Sequence, residues 1–428
     1  MKNRQRWLAL LLLIPVLAAI IWAATRQEEV ENDPFSLPPL KDYPDVSDLA
    51  PTSALTHHRF DSLSYGIHAF LWWSAPQREW DLENVRMMNF HYVKQSFAWS
   101  DIQPEPEMFD WVLADAVVNE VQYRRRGLVA RIDSPPDWAV QTPDNIENPP
   151  YNLDAFAAYC GALAERYQGK IEAYQVWNEP NLQREWAGYV PNATAYVKML
   201  AACGTAIRAV DENAIIISAG LSPTGSRDVS ALPDEEFLWE IYAAGGSPYF
   251  DVLGLHAPGY ALPPEATAED AAEYYGATTM RWARFRHVED MRAIMVANGD
   301  ADKQIAIMEM GWTTDNRPAE ESIYSWFGVT QEVQADYLAR AYAYAAANWR
   351  PWVGLIVTIY MADSSWTPDD EHWWWAINEP APPPQWTNIR PAFLALANME
   401  KISENPAFSE PERQPGERYE PEPLPPRP

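Results

Sequence analysis

Two glutamates, Glu179 and Glu309, each close a short apolar run and stand 130 positions apart in the chain. A carboxyl pair can divide the work at one carbon. One member, protonated, assists a leaving oxygen, while the other, ionised, attacks or activates water. Cleavage of an acetal, such as a glycosidic bond, has that requirement. In Gln304-Ile305-Ala306-Ile307-Met308-Glu309, period-two alternation puts Ile305, Ile307 and Glu309 on one face. If that face lines a barrel, Glu309 emerges at its mouth. A lone Glu at a strand end reads equally well as a solvated loop residue, but two in matching positions fit that reading poorly.

The elements that must position the pair form a regular series. Strands are predicted at Ser64–Phe70, Tyr92–Phe97, Leu128–Ile132, Ala173–Trp177, Ala214–Ala219, Val252–Leu255, Ile305–Met308 and Val353–Ile359. Helical spacing falls between them. Leu153–Tyr167 carries Leu153, Phe156, Cys160, Leu163 and Tyr167 on one face, and Val288–Ala297 ends at Asn298-Gly299. Gln331–Asn348 opens on Thr330 as an N-cap. Eight strand–helix alternations indicate an α/β fold, a (β/α)8 TIM barrel with elaborated loops on its C-terminal face. The alternative is a doubly wound sheet, which would carry a glycine-rich turn after its first strand; Ile67–Trp72 has none.

In such a barrel chemistry belongs at the C-terminal strand ends. Those ends carry His68, Trp72 and Trp73; Lys94, Gln95 and Trp99; Arg131, Asp133 and Trp138; Trp177-Asn178-Glu179-Pro180; His256 and Tyr260; Glu309 and Trp312; and Tyr360, Asp363 and Trp366. Trp72, Trp73, Trp99, Trp138, Trp312, Trp366 and Trp373-Trp374-Trp375 are candidate stacking surfaces for sugar rings, although core packing claims about half of such a set. The sequence has no metal-binding or cofactor motif, so no cofactor is expected.

These residues carry a family likeness. Trp177-Asn178-Glu179-Pro180 resembles the W-N-E-P signature of the clan A glycoside hydrolases. Met308-Glu309-Met310-Gly311-Trp312 is similar to that clan's strand-seven pattern. Lys94–Trp99, Pro104-Glu105, Phe109-Asp110-Trp111 and Pro135–Ala139 resemble the β-xylosidase-like family 39, with family 5 cellulase-like enzymes as further relatives. The resemblance covers about residues 64–400. It implies a retaining, double-displacement mechanism, with Glu309 as nucleophile, Glu179 as acid/base and Asn178 bonding the substrate 2-hydroxyl. His256 and Tyr360 are candidates to orient Glu309 or a substrate hydroxyl, and Lys94 and Arg131 to hold the nucleophile ionised. The chain departs from the pattern on strand two, where many relatives have Arg, and on strand six, where His-x-Tyr becomes His256-Ala257-Pro258-Gly259-Tyr260. A non-catalytic, surface carbohydrate-binding barrel is the alternative function. The altered shell favours it, and the presence of both glutamates argues against it.

Composition sets the surroundings. A formal net charge of −28 makes nucleic acid an unsuitable partner and suits a neutral oligo- or polysaccharide. The 21 Trp and 21 Tyr supply flat faces for such a ligand. Lys2, Arg4 and Arg6 precede an uncharged run, Trp7–Ala24, of 18 residues. No good cleavage site follows it, so residues 1–26 read as a signal anchor rather than a signal peptide, with the body outside the cell. The protein is then a single-pass membrane protein, or a secreted one if the segment is cleaved. Residues 27–60 form an acidic, Pro-rich spacer, 61–409 the barrel, and 410–428 a Pro-rich tail expected to be disordered. Cys160 and Cys203 read first as small core residues; a disulfide is open to them if their helices are neighbours in an oxidising compartment.

Overall fold

The computed structural model describes residues 36–46, 49, 55, 58–141, 149–381 and 387–402. The Trp7–Ala24 segment and the 410–428 tail lie outside them. Among the described residues no helix is long and apolar enough to cross a membrane.

Eight parallel strands close into a barrel in sequence order: β1 (Ser64–His68), β2 (Tyr92–Ser96), β3 (Gly127–Ile132), β4 (Ala173–Val176), β5 (Ile215–Ile217), β6 (Val252–Pro258), β7 (Gln304–Gly311) and β8 (Val353–Thr358). Closure runs through β1 and β8, with Ser64 opposite Leu355 and Ile67 opposite Thr358. All eight expected strands are present. β6 and β7 run three residues further than their apolar runs, because the ladder between them continues to Pro258 and Gly311.

Alternating side chains divide into two apolar layers. Val129, Ala173, Ile215, Ile217, Val252, Ala306, Met308, Leu355 and Val357 pack inside the barrel with Tyr92 and Phe60, and no helix residue joins them. Residues of opposite phase, such as Tyr65, Val93, Ala130, Tyr174, Leu253 and Ile307, pack outward on the helices. Both strand faces are therefore buried, which explains runs that are apolar throughout rather than alternating. Phe60 plugs the floor, held there by Gln304, whose side chain accepts from the Phe60 amide at 2.9 Å and donates to its carbonyl at 3.0 Å.

Side-chain caps start several helices. Asn152 opens Leu153–Arg166, Asn192 opens Ala193–Val210, and Thr330 opens Gln331–Asn348, each accepting from an amide three positions on. The first two of these helices are neighbours, and Cys160 and Cys203 on them are joined in a disulfide, with Cα atoms 5.4 Å apart. Buried core thiols were the first reading of these residues. The correction comes from helix adjacency, which periodicity cannot supply. Part of the Pro-rich spacer lies against the barrel: Lys41 pairs with Glu240 at 2.7 Å, and Tyr43 stacks on Trp239.

Candidate active site

The site is built where inward-facing positions reach the barrel mouth. Val252, Gly254 and His256 have one phase on β6, so His256 faces inward above two packed residues. On β7 the simple alternation fails. Ala306 and Met308 point inside, whereas Ile305 and Ile307 belong to the outer layer. Continued alternation would send Glu309 outward with Ile307, contrary to the shared inward face expected for those three. The ladder corrects this: Leu255 pairs with Ile307 but His256 with Glu309, so Met308 is passed over and Glu309 turns inward. Such register shifts often re-aim a side chain beside an active site.

Glu179 is aimed by backbone conformation instead. After β4, Trp177 adopts φ +74° and Glu179 φ +37°, a left-handed region that bulky residues seldom occupy. The turn is held by the Glu179 amide on the Gly220 carbonyl at 3.1 Å, and by the Trp177 indole on the Glu185 carbonyl at 3.0 Å. Gly220 cannot be replaced without displacing His256, since a Cβ there would sit 2.2 Å from Nε2. Strain at a turn braced on both sides is the usual mark of a functional position.

The two carboxylates meet at one atom. His256 Nδ1 lies 2.9 Å from Glu179 Oε1 and 3.7 Å from Glu309 Oε2, which caps the separation of those oxygens at 6.6 Å. The second Glu179 oxygen accepts from Arg184 Nη2 at 2.7 Å. Glu309 accepts from Lys94 Nζ at 3.0 Å and from the Tyr360 hydroxyl at 3.3 Å. Arg131 stands further off, with Nη1 4.0 Å from Glu309, and its Nε pairs with Asp133 at 2.5 Å. His68, on β1, has Nδ1 3.8 Å from Glu309.

Burial raises the pKa of both carboxyls, but their charged and hydrogen-bonding neighbours outweigh it. Arg184 and His256 hold Glu179 well below the usual carboxylate range, and His256 and Lys94 do the same for Glu309. Burial, and then the charges of Lys94 and Arg131, push His68 well below its ordinary value, so it sits in the site as a neutral ring. Buried Lys94 is also lowered by desolvation, against the attraction of Glu309. Several polar atoms facing this region are buried without a partner among the described residues: both His68 ring nitrogens, His256 Nε2 and Asn178 Oδ1. Buried polar groups left open in this way are available to ligand hydroxyls.

The candidate residues do not all converge. Glu179, Glu309, His256, Lys94 and Tyr360 come together, with Arg131 at the edge of the group; Asn178 adjoins Glu179 in the chain and bridges to Gly220. His256, expected to orient Glu309, bonds Glu179 more closely. Trp99 and Trp312 are corrections, because both are fully buried in the core. The Trp99 indole donates to Gln103 at 2.7 Å, and that of Trp312 to the Leu262 carbonyl at 2.9 Å. Trp138 is half-buried, edge-on to Trp99. Trp366 is partly exposed and joins Phe70, Tyr360 and His372 in an aromatic wall, stacked on His372 with centroids 5.2 Å apart. His68 and Arg184 were not among the sequence candidates. The position of His68 at the first strand end was a usable signal, whereas Arg184 lies in a loop with none.

With this geometry in view, known proteins can be compared. Residues 56–241 match the family model Cellulase (glycosyl hydrolase family 5). No curated protein sequence matches the chain. Among solved structures, it is similar to a family 39 glycoside hydrolase from Bacteroides cellulosilyticus (TM-score 0.58, 15% identity, 79% of this chain and 63% of that one). It is also similar to a glucosidase from Croceicoccus marinus (0.51, 15%, 74% and 62%). A third is a family 39 β-xylosidase from Caulobacter crescentus (0.52, 14%, 81% and 71%). The chain spans less than two thirds of the first two. The closed barrel and the family-model match over residues 56–241 show a TIM barrel similar to those of the clan A glycoside hydrolases.

Proposed function

We propose that the protein is a retaining glycosidase that cleaves O-glycosidic bonds of an oligo- or polysaccharide outside the cell. The observation that carries the reading is the convergence of Glu179 and Glu309 on one nitrogen of His256. The two oxygens facing that nitrogen are at most 6.6 Å apart, which accommodates the roughly 5–5.5 Å carboxyl separation of a double displacement.

In the first half-reaction Glu309 attacks the anomeric carbon and Glu179 gives its proton to the departing oxygen, forming a glycosyl ester on Glu309. In the second, Glu179 takes a proton from water, which attacks the anomeric carbon and frees Glu309. Lys94 and Tyr360 keep Glu309 ionised and aimed. Asn178, beside the acid/base, is placed to bond the 2-hydroxyl. A net charge of −28 supports a neutral glycan over a polyanion. The disulfide supports an oxidising compartment, in keeping with a Trp7–Ala24 anchor and an external barrel.

The test is a panel of chromogenic glycosides and polysaccharides. Glu179→Ala is expected to lose about 10²–10⁴-fold on substrates with poor leaving groups, and Glu309→Ala to lose nearly all turnover, both with the fold intact by circular dichroism. Turnover by Glu309→Ala at the wild-type rate would remove Glu309 from the mechanism.

A further inference from the structure

We propose that Arg184 is a displaceable positioning residue: it fills the leaving-group side of Glu179 in the empty site and swings away when the leaving sugar enters. This rests on the glycosidase reading for its catalytic meaning, but not for the contact itself. A general acid must present one carboxyl oxygen, protonated, to the glycosidic oxygen. Each oxygen of Glu179 already has a partner, Oε1 in His256 and Oε2 in Arg184. One donor has to leave before the acid can act.

His256 is not free to do so. It is buried on β6, Gly220 stands against its ring, and the β6–β7 ladder fixes its backbone. Arg184 differs in each respect. It sits in the short turn Gln183–Glu185 that follows the acid/base, and its side chain is 56% exposed. Alternative partners lie close by, with Glu185 Oε1 3.7 Å from Nε and Tyr324, from the loop after β7, within reach. The leaving sugar therefore competes with Arg184 for Glu179 and with no other side chain. As the guanidinium withdraws, Glu179 takes a proton from solvent and then passes it to the glycosidic oxygen. The acid thus forms only when a leaving group is present.

The other charged groups facing Glu179 are too constrained to do this. Glu309, across His256, is held by Lys94; Tyr360 after β8 and Tyr260 after β6 are buried neutral phenols. Lys94 and Arg131 lie on the Glu309 side, and Glu371 lies beyond Tyr324.

The experiment measures protonation of Glu179 without needing turnover. Carbodiimide modifies protonated carboxyls, so its rate at Glu179 in the full chain can be followed against pH by peptide mass spectrometry. In Arg184→Ala the midpoint of that curve is expected to rise by at least one pH unit, and Arg184→Lys should bring it part of the way back. A midpoint unchanged in Arg184→Ala overturns the proposal. Where a substrate is in hand, the alkaline limb of kcat/KM, which reports the empty enzyme, should move up in Arg184→Ala toward the limb of kcat. Absence of turnover in the wild type would count against the glycosidase reading and leave the labelling result standing.

Discussion

Lys94 is buried with its ammonium 3.0 Å from Glu309. A nucleophile must be ionised, and the adjacent cation favours that form. Lys94→Met removes it, so the Glu309 carboxyl rises by about one to three pH units. The acid limb of kcat/KM is then expected to move to higher pH by a similar amount. An acid limb that stays in place would assign Lys94 a packing role. The glutamate pair was readable from residue type and strand position alone. Its partners were less so, because hydrogen bonds depend on directions that spacing does not encode. His256 proved closer to Glu179 than to Glu309 for that reason, and Arg184, five positions along in a loop, left no periodic trace. Tryptophan type was equally ambiguous: Trp99 and Trp312 spend their rings on the core, whereas Trp366 stands in the wall above Tyr360.

Among the elements, short apolar runs located all eight strands, but period-two alternation misassigned the face of β7, since a one-residue shift opposite Leu255–His256 is invisible in an apolar run. A second feature also escaped the sequence. His287 donates from both ring nitrogens, to Asp234 and Asp290, each at 2.9 Å, and so ties the helix Asp234–Ala243 to His287–Ala297. Only an imidazolium can donate twice. Burial favours the neutral ring, but the two carboxylates push its pKa up to about 10 from an ordinary 6.5. A value raised on folding stabilises fully below 6.5, and that contribution is lost as pH climbs to about 10. The thermal midpoint should fall across that window in the wild type and more shallowly in His287→Asn. That variant should also lose about 3–5 kcal/mol near neutrality, since it leaves the Asp234 carboxylate buried without a counter-charge, while Asp290 keeps Arg284. Parallel slopes in the two proteins would show that the ring is not the responsible group.

For the whole molecule, the disulfide closes a loop of 43 residues between two helices on the outside of the barrel. Chain-entropy reasoning for a loop of that length gives about 4 kcal/mol. Cys160→Ala/Cys203→Ala should therefore unfold at lower denaturant by an amount near that figure, while activity at low temperature stays at the wild-type level. A large loss of activity with little loss of stability would mean that these helices set the site geometry. The central claim concerns the mouth of the barrel, and covalent trapping tests it most directly. The protein would be incubated with a panel of 2-deoxy-2-fluoro glycosides bearing activated leaving groups, then digested and analysed by peptide mass spectrometry. A glycosyl adduct on Glu309, absent from Glu309→Ala and slow to hydrolyse, is the expected result. An adduct on a different carboxylate, or turnover with inverted anomeric configuration, would contradict the assignment.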